Sequence, residues 1–301
     1  MTNPALDAFV QRVTRFLDRY EQQLPSPPPS VDWTGTWAAR WMAKGDSGWL
    51  RPLTVSLDMR LDDLRGVDRQ KALLAANTRQ FVRGLPANNA LLWGARGTGK
   101  SSLVRALLAE HRSAGLRLIE VDKADLVHLP ALIECIAGAP WRFLLFCDDL
   151  AFEADDSAYK TLKTVLDGTV EAAPENLLLY ATSNRRHLLP EQRSDNLGAS
   201  MVDGELHPGE AIEEKIALSD RFGLWVSFYP FTQDQYLEVV QHWLATLGER
   251  HGMQCEWTDT LAREAVRWAL GRGNRNGRCA YQFARDHLGR MLLEREVPSS
   301  S

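Results

Sequence analysis

The chain has 301 residues, enough for one large domain or two modest ones, and its 45% hydrophobic and 25% charged residues are typical of a soluble globular protein. A formal net charge of -4 provides no overall field for nucleic acid or anionic lipid, so any such contact has to come from a local basic patch. Cys135, Cys147, Cys255 and Cys279 show neither C-x-x-C nor zinc spacing; without a signal-like h-region or an apolar run near the roughly 18 residues of a membrane span, the reading is reduced thiols, no membrane and a cytoplasmic location.

Asn3 and Pro4 open a predicted helix whose Phe9, Val13, Phe16, Leu17 and Tyr20 share one face, and the proline-rich stretch from Pro25 to Ser30 ends it. Trp33, Trp37 and Trp41 follow at helical i, i+4, i+8 spacing, with Trp49 soon after. They read either as a satellite core packed on the main domain or as an aromatic docking surface. Residues 1–56 are accordingly assigned to an N-terminal helical, Trp-rich extension.

From Leu61 strand and helix alternate, which predicts an α/β fold with a doubly wound, five-stranded parallel sheet over residues 57–230. The predicted strands, 90–93, 116–121, 143–147, 177–181 and 224–228, are short and nearly continuous in apolar residues, as strands covered on both faces should be. After Phe231 the pattern turns helical at 233–247, 260–270 and 278–293, with a Gly/Arg/Asn loop at 271–277. Residues 231–301 are expected to form a small helical lid.

Gly94, Ala95, Arg96, Gly97, Thr98, Gly99, Lys100 and Ser101 spell G-x-x-x-x-G-K-S between the first apolar run and a helical segment that begins near Ser102. Strand, glycine turn and helix in that order make a phosphate cradle. Backbone N–H groups surround the anion, the helix N-terminus adds the positive end of its dipole, and Lys100 supplies a cation. The third apolar run ends in Asp148 and Asp149, a Walker-B pair on the ligand edge of the sheet. Asp148 with the Ser101 hydroxyl is the expected Mg2+ site, and Asp149 the group that orients water, with Glu153 one helical turn further on as its substitute. The fourth run delivers Asn184 to the same edge, either to bond the γ-phosphate and the water or as a turn residue. Arg221, before the fifth strand, and Arg278, opening the last helix, read as phosphate-binding guanidiniums or as surface ion pairs. Arg272, Arg275 and Arg278 alternatively touch nucleic-acid phosphates. Asp122-Lys-Ala-Asp125 resembles a guanine-reading motif but precedes the Walker-B strand, so ATP is expected rather than GTP.

These pieces in this order resemble AAA+ ATPases over residues 57–293: Walker A at Gly94 to Ser101, Walker B at Asp148 and Asp149, sensor 1 at Asn184, an arginine finger at Arg221 and sensor 2 at Arg278. More narrowly, segments 88–102, 146–150, 180–187 and 214–223 resemble a bacterial family of predicted ATP-binding proteins filed as domain of unknown function 815. That resemblance implies an ATP site, with residues 61–67 near the adenine. AAA+ proteins usually carry Glu where Asp149 stands, and Arg185, Arg186 and Arg275 are neighbouring substitutes for the two arginine roles. The expected activity is Mg-dependent ATP hydrolysis in a homo-oligomeric ring acting on a protein or nucleic-acid client. A non-hydrolysing ATP-gated adaptor or nucleic-acid loader is the second reading and a small-molecule P-loop kinase the third.

Overall fold

A computed structural model describes residues 9, 11–15, 30–45, 47–152, 156–167, 174–185, 188, 200–202, 205–207, 218 and 220–296. By compactness the chain divides into Met1–Val31 and Asp32–Ser301. In the first unit the described residues Phe9 and 11–15 are helical, and Phe9 and Val13 are exposed.

The second unit is built on a seven-stranded sheet. Its strands are β1 (Ala38–Lys44), β2 (Ser47–Leu53), β3 (Ala90–Gly94), β4 (Leu116–Glu120), β5 (Arg142–Cys147), β6 (Leu177–Ser183) and β9 (Leu224–Phe228), in the order β2-β1-β4-β5-β6-β3-β9. Within this sheet, among the described residues, β1 and β2 pair antiparallel and the other neighbours parallel. A separate short hairpin pairs β7 (Ser200–Val202) with β8 (Glu205–His207). The five expected strands are present, and β1 and β2 extend the sheet beyond β4.

Alternation along each strand splits the core in two. Leu144 and Phe146 face one side with Ala90, Leu92, Leu178 and Tyr180; Phe143, Leu145 and Cys147 face the other with Leu91, Leu179 and Ala181. The first side is covered by α1 (Asp68–Val82) and α2 (Lys100–His111), the second by α3 (Leu129–Ile136) and α4 (Ser157–Asp167). Covering both faces is why these strands are apolar at consecutive positions. The chain then forms three helices, α5 (Gln233–Arg250), α6 (Asp259–Gly271) and α7 (Gly277–Glu296), which pack onto the first side. A reciprocal capping box between Thr232 and Gln235 starts α5.

The helical assignment of the tryptophan segment is corrected: Trp41 lies in β1 and Trp49 in β2, with Met42 opposite Trp49. A spacing of four residues is also an even number, so it satisfies the period of two of a strand as well as the helical period. Pairing of Ala38 to Arg40 with Leu118 to Glu120 on β4 decides between them. Trp41 is buried in the second core and Trp33 meets Phe143 edge-on at 5.0 Å, which supports the packing reading of the tryptophans over the docking surface. No helix among the described residues is long and apolar enough to cross a membrane.

Candidate nucleotide-binding site

The carboxyl ends of β3, β5, β6 and β9 meet at one edge, where the phosphate-cradle sequence leaves β3. Gly94 is at φ 129°, and a Cβ there would fall 2.0 Å from the Phe228 carbonyl oxygen on β9. That same oxygen accepts the Ala95 N–H at 3.0 Å. No other residue fits this crossing, since both the sign of φ and the approach of the neighbouring strand exclude a side chain. Thr98 Oγ1 donates to the Ala95 carbonyl at 2.8 Å, and Gly99, at φ 104°, stands immediately before α2.

Lys100 is the first residue of α2 and is 7% exposed. Its Nζ donates to the carbonyls of Gly94 and Ala95, both at 2.8 Å, and to Asn184 Oδ1 at 3.3 Å. Burial lowers its pKa, opposed by Asp148 and Asp149, while Arg96 and Arg278 add to the lowering. A triphosphate would reverse that balance by placing anions against the ammonium.

Ser101 Oγ donates to Asp148 Oδ1 at 2.7 Å, and Thr182 Oγ1 donates to the same oxygen at 2.5 Å. The Thr182 hydroxyl in turn accepts the Asp149 N–H at 2.9 Å. Thr182 therefore fixes both acids; it escaped the sequence reading because a threonine inside an apolar strand gives no signal by itself. Asp149 Oδ1 accepts from Asn184 Nδ2, and its Oδ2 lies 3.5 Å from the Arg96 guanidinium. Asn184 thus bridges Lys100 and Asp149 with its two amide ends. The Ser101 hydroxyl and Asp148 carboxylate are hard oxygen donors already side by side, a set that fits Mg2+.

A cleft of ≈ 760 Å³ opens over these groups and is lined by residues 96–102, Asp148, Asp149, Asn184 and Arg278. Leu64 and Val67 from the segment expected near the base, and Val239, Trp243 and Tyr281 from α5 and α7, give it apolar lining, interspersed with Asp63, Arg65 and Arg250. Asp63, beside Leu64, holds the Arg60 N–H and His242 of α5, at 2.8 and 3.1 Å. The predicted residues Gly94 to Ser102, Asp148, Asp149, Asn184 and Arg278 are thus brought together. Arg221 does not line the cleft of its own chain; its guanidinium bonds Asp167 at the end of α4. Glu153 and Arg186 lie outside the described residues. Cys147, one residue before Asp148, is packed into the second core, and that burial pushes its thiol up to about 12.

Residues 34–291 match the model of a family described as protein of unknown function, DUF815. The chain belongs to this family. No curated protein matches it in sequence. Among solved structures, this DUF815 chain is similar to the Thermotoga maritima RuvB Holliday junction branch migration motor, at 18% identity and a TM-score of 0.51, over 79% of this chain and 66% of that one. Aeropyrum pernix ORC1 in complex with DNA aligns at 16% identity and a TM-score of 0.51, over 77% and 62%. The FIGL-1 AAA domain in complex with ADP aligns at 17% and 0.50, over 81% and 77%. The chain spans just under two thirds of the RuvB and ORC1 chains. The fold of the DUF815 chain is that of AAA+ P-loop ATPases.

Proposed function

We propose that this chain is a Mg2+-dependent ATPase of the AAA+ type that couples ATP binding and hydrolysis to the remodelling or loading of a macromolecular partner. The observation that carries the reading is the 2.7 Å contact between Ser101 and Asp148 at the mouth of the phosphate cradle. A hydroxyl on the first turn after the P-loop lysine, facing a strand-end carboxylate, has the makings of a metal seat beside a triphosphate. Bound there, Mg2+ would neutralise charge on the β- and γ-phosphates.

The chain's own residues supply the rest. Lys100 exchanges the carbonyls of Gly94 and Ala95 for phosphate oxygens, while Leu64, Val67 and Trp243 shield the base from water. Asp149, steadied by Asn184 and by the Thr182 hydroxyl, orients the attacking water and accepts the proton it gives up as its oxygen bonds to the γ-phosphorus and the bond to ADP breaks. Arg278 reaches the phosphates from the lid. In this scheme residues 57–230 hold the nucleotide, residues 231–301 move with it, and Arg221 serves the site of a neighbouring copy in a homo-oligomer.

A second reading, an ATP-gated switch that does not hydrolyse, is favoured by one observation: both carboxylate oxygens of Asp149 are engaged, by Asn184 and Arg96. Phosphate release without any acceptor supports the ATPase; MgATP binding without release, with or without single-stranded DNA, supports the switch; release that demands an added metabolite supports a kinase. Lys100→Ala should abolish nucleotide binding, because several negative charges lose their buried cation, whereas Asp148→Asn should spare binding more than turnover. Equal loss of affinity in both variants would count against Asp148 as a metal ligand used mainly in turnover.

A further inference from the structure

Asn276 joins the lid to the phosphate cradle. It stands one residue before α7, and its Oδ1 accepts the backbone N–H of Cys279 at 2.9 Å, capping the helix. Because a backbone donor fixes the oxygen, the other end of the amide must be NH2. That Nδ2 donates to the Arg96 carbonyl at 3.0 Å. Two residues on, the Arg278 N–H donates to the Gly97 carbonyl at 3.1 Å. The fit is close: a Cβ on Gly97 would lie 2.7 Å from Asn276 Nδ2, and a Cβ on Gly277 would lie 3.3 Å from the Gly97 carbonyl oxygen.

A backbone nest binds an anion by turning its N–H groups inward, and this turns its carbonyls outward. Here the outward Gly97 carbonyl is met by the Arg278 N–H in the first turn of α7, which has no intrahelical acceptor, and the outward Arg96 carbonyl by the side-chain amide of the capping Asn276. Each side supplies what the other lacks. Asn276 was not singled out in the sequence because asparagine in a Gly/Arg/Asn loop reads only as a turn former.

We propose that Asn276 is a positioning residue that fastens α7 to the phosphate loop. The loop keeps its anion-binding form while the lid helix is docked, and the same contact delivers Arg278 to the phosphates. Since the contact links two equilibria, nucleotide binding strengthens lid docking by the factor by which docking strengthens nucleotide binding. The proposal rests on the nucleotide reading above and adds the element through which occupancy reaches the lid.

Asn276→Ser tests it in the 301-residue chain, because serine still caps the helix but is too short to reach Arg96. In nucleotide-free protein, amide exchange at Arg278 should rise about tenfold while the capped Cys279 amide stays protected. MgATP affinity should fall about three- to tenfold, the order expected for one lost hydrogen bond. Arg278→Ala should weaken binding clearly in the native background and little further in Asn276→Ser. Unchanged Arg278 exchange, or strictly additive effects of the two substitutions, would overturn the proposal. If the native chain binds no MgATP, the nucleotide reading itself fails, and the exchange measurement alone then decides whether the clamp exists.

Discussion

Asp149 is the only described residue other than glycine with a positive φ, 55°, and it sits where the reaction would need a base-like carboxylate. Left-handed backbone strains most side chains, but asparagine tolerates it at least as well as aspartate. Asp149→Asn should therefore keep the fold and bind MgATP while losing phosphate release, so a melting curve and a turnover assay should part company. Near-normal turnover in that variant beside a dead Glu153→Gln would move the role to Glu153. Lys100 yields a pH prediction at the same scale. Its pKa is lowered in the free protein, chiefly by burial. The folded chain therefore sheds this proton earlier than the unfolded chain, and between the lowered value and the ordinary 10.5 folding stability should rise with pH. Nucleotide affinity should fall over the same window, because the triphosphate needs the ammonium. Denaturation and ATP titrations at stepped alkaline pH, with Lys100→Gln as the control, check both signs; flat affinity up to the ordinary value would refute the assignment.

Among the elements, the edge hairpin and the segment before it depend on one buried cation. Arg117, the second residue of β4, is 1% exposed. Its Nε donates to the Trp33 carbonyl at 2.8 Å and its Nη1 to the carbonyls of Arg112 and Leu116, at 3.0 and 2.8 Å. The guanidinium lies over the rings of Trp37 and Trp141, 4.6 and 3.7 Å from their centroids. A planar fork satisfies carbonyls and indole faces at once, which a compact ammonium does not. Arg117→Lys should cost about 2–4 kcal/mol by taking the guanidinium donors from the Leu116 and Trp33 carbonyls and the planar cation from the two indole faces. Urea denaturation would show the loss, and a red shift of tryptophan emission would locate it; a cost below about 0.5 kcal/mol, the range of ordinary surface substitutions, would mean that the segment is held elsewhere.

At the scale of the whole molecule, Arg221 bears on assembly. Its guanidinium is bonded to Asp167 and lies away from the cleft of its own chain. Acting in trans, it would need a head-to-tail oligomer in which each site borrows a residue from its neighbour. Arg221→Ala should then cut turnover about 10³-fold or more with ATP affinity nearly intact. Mixing it with Lys100→Ala, each inactive by itself, should restore some activity by pairing an intact site with an intact arginine. The opposite outcome is equally concrete: Arg221→Ala and Asp167→Asn lower the melting temperature alike, turnover stays normal, and its rate per chain does not depend on protein concentration.

The parallel strands and the cradle were legible in the chain because both are local signals. Runs such as Phe143 to Cys147 are apolar at every position as strands covered on two faces are, and Gly94 to Ser101, between an apolar run and a helical segment, specify a glycine turn from adjacent residues alone. The edge hairpin was not legible, since the tryptophan spacing suits two periods and only pairing with β4 chooses between them. Nor were Thr182 and Asn276, whose contacts join positions 34 and 180 residues apart in sequence. A sequence encodes directly what its near neighbours dictate, which here meant element type, the phosphate turn and the strand-end acids. The partners of Arg117, Arg221 and Asn276 came only with the tertiary structure, because hydrogen bonds across long chain separations exist only once loop closure has brought both ends together.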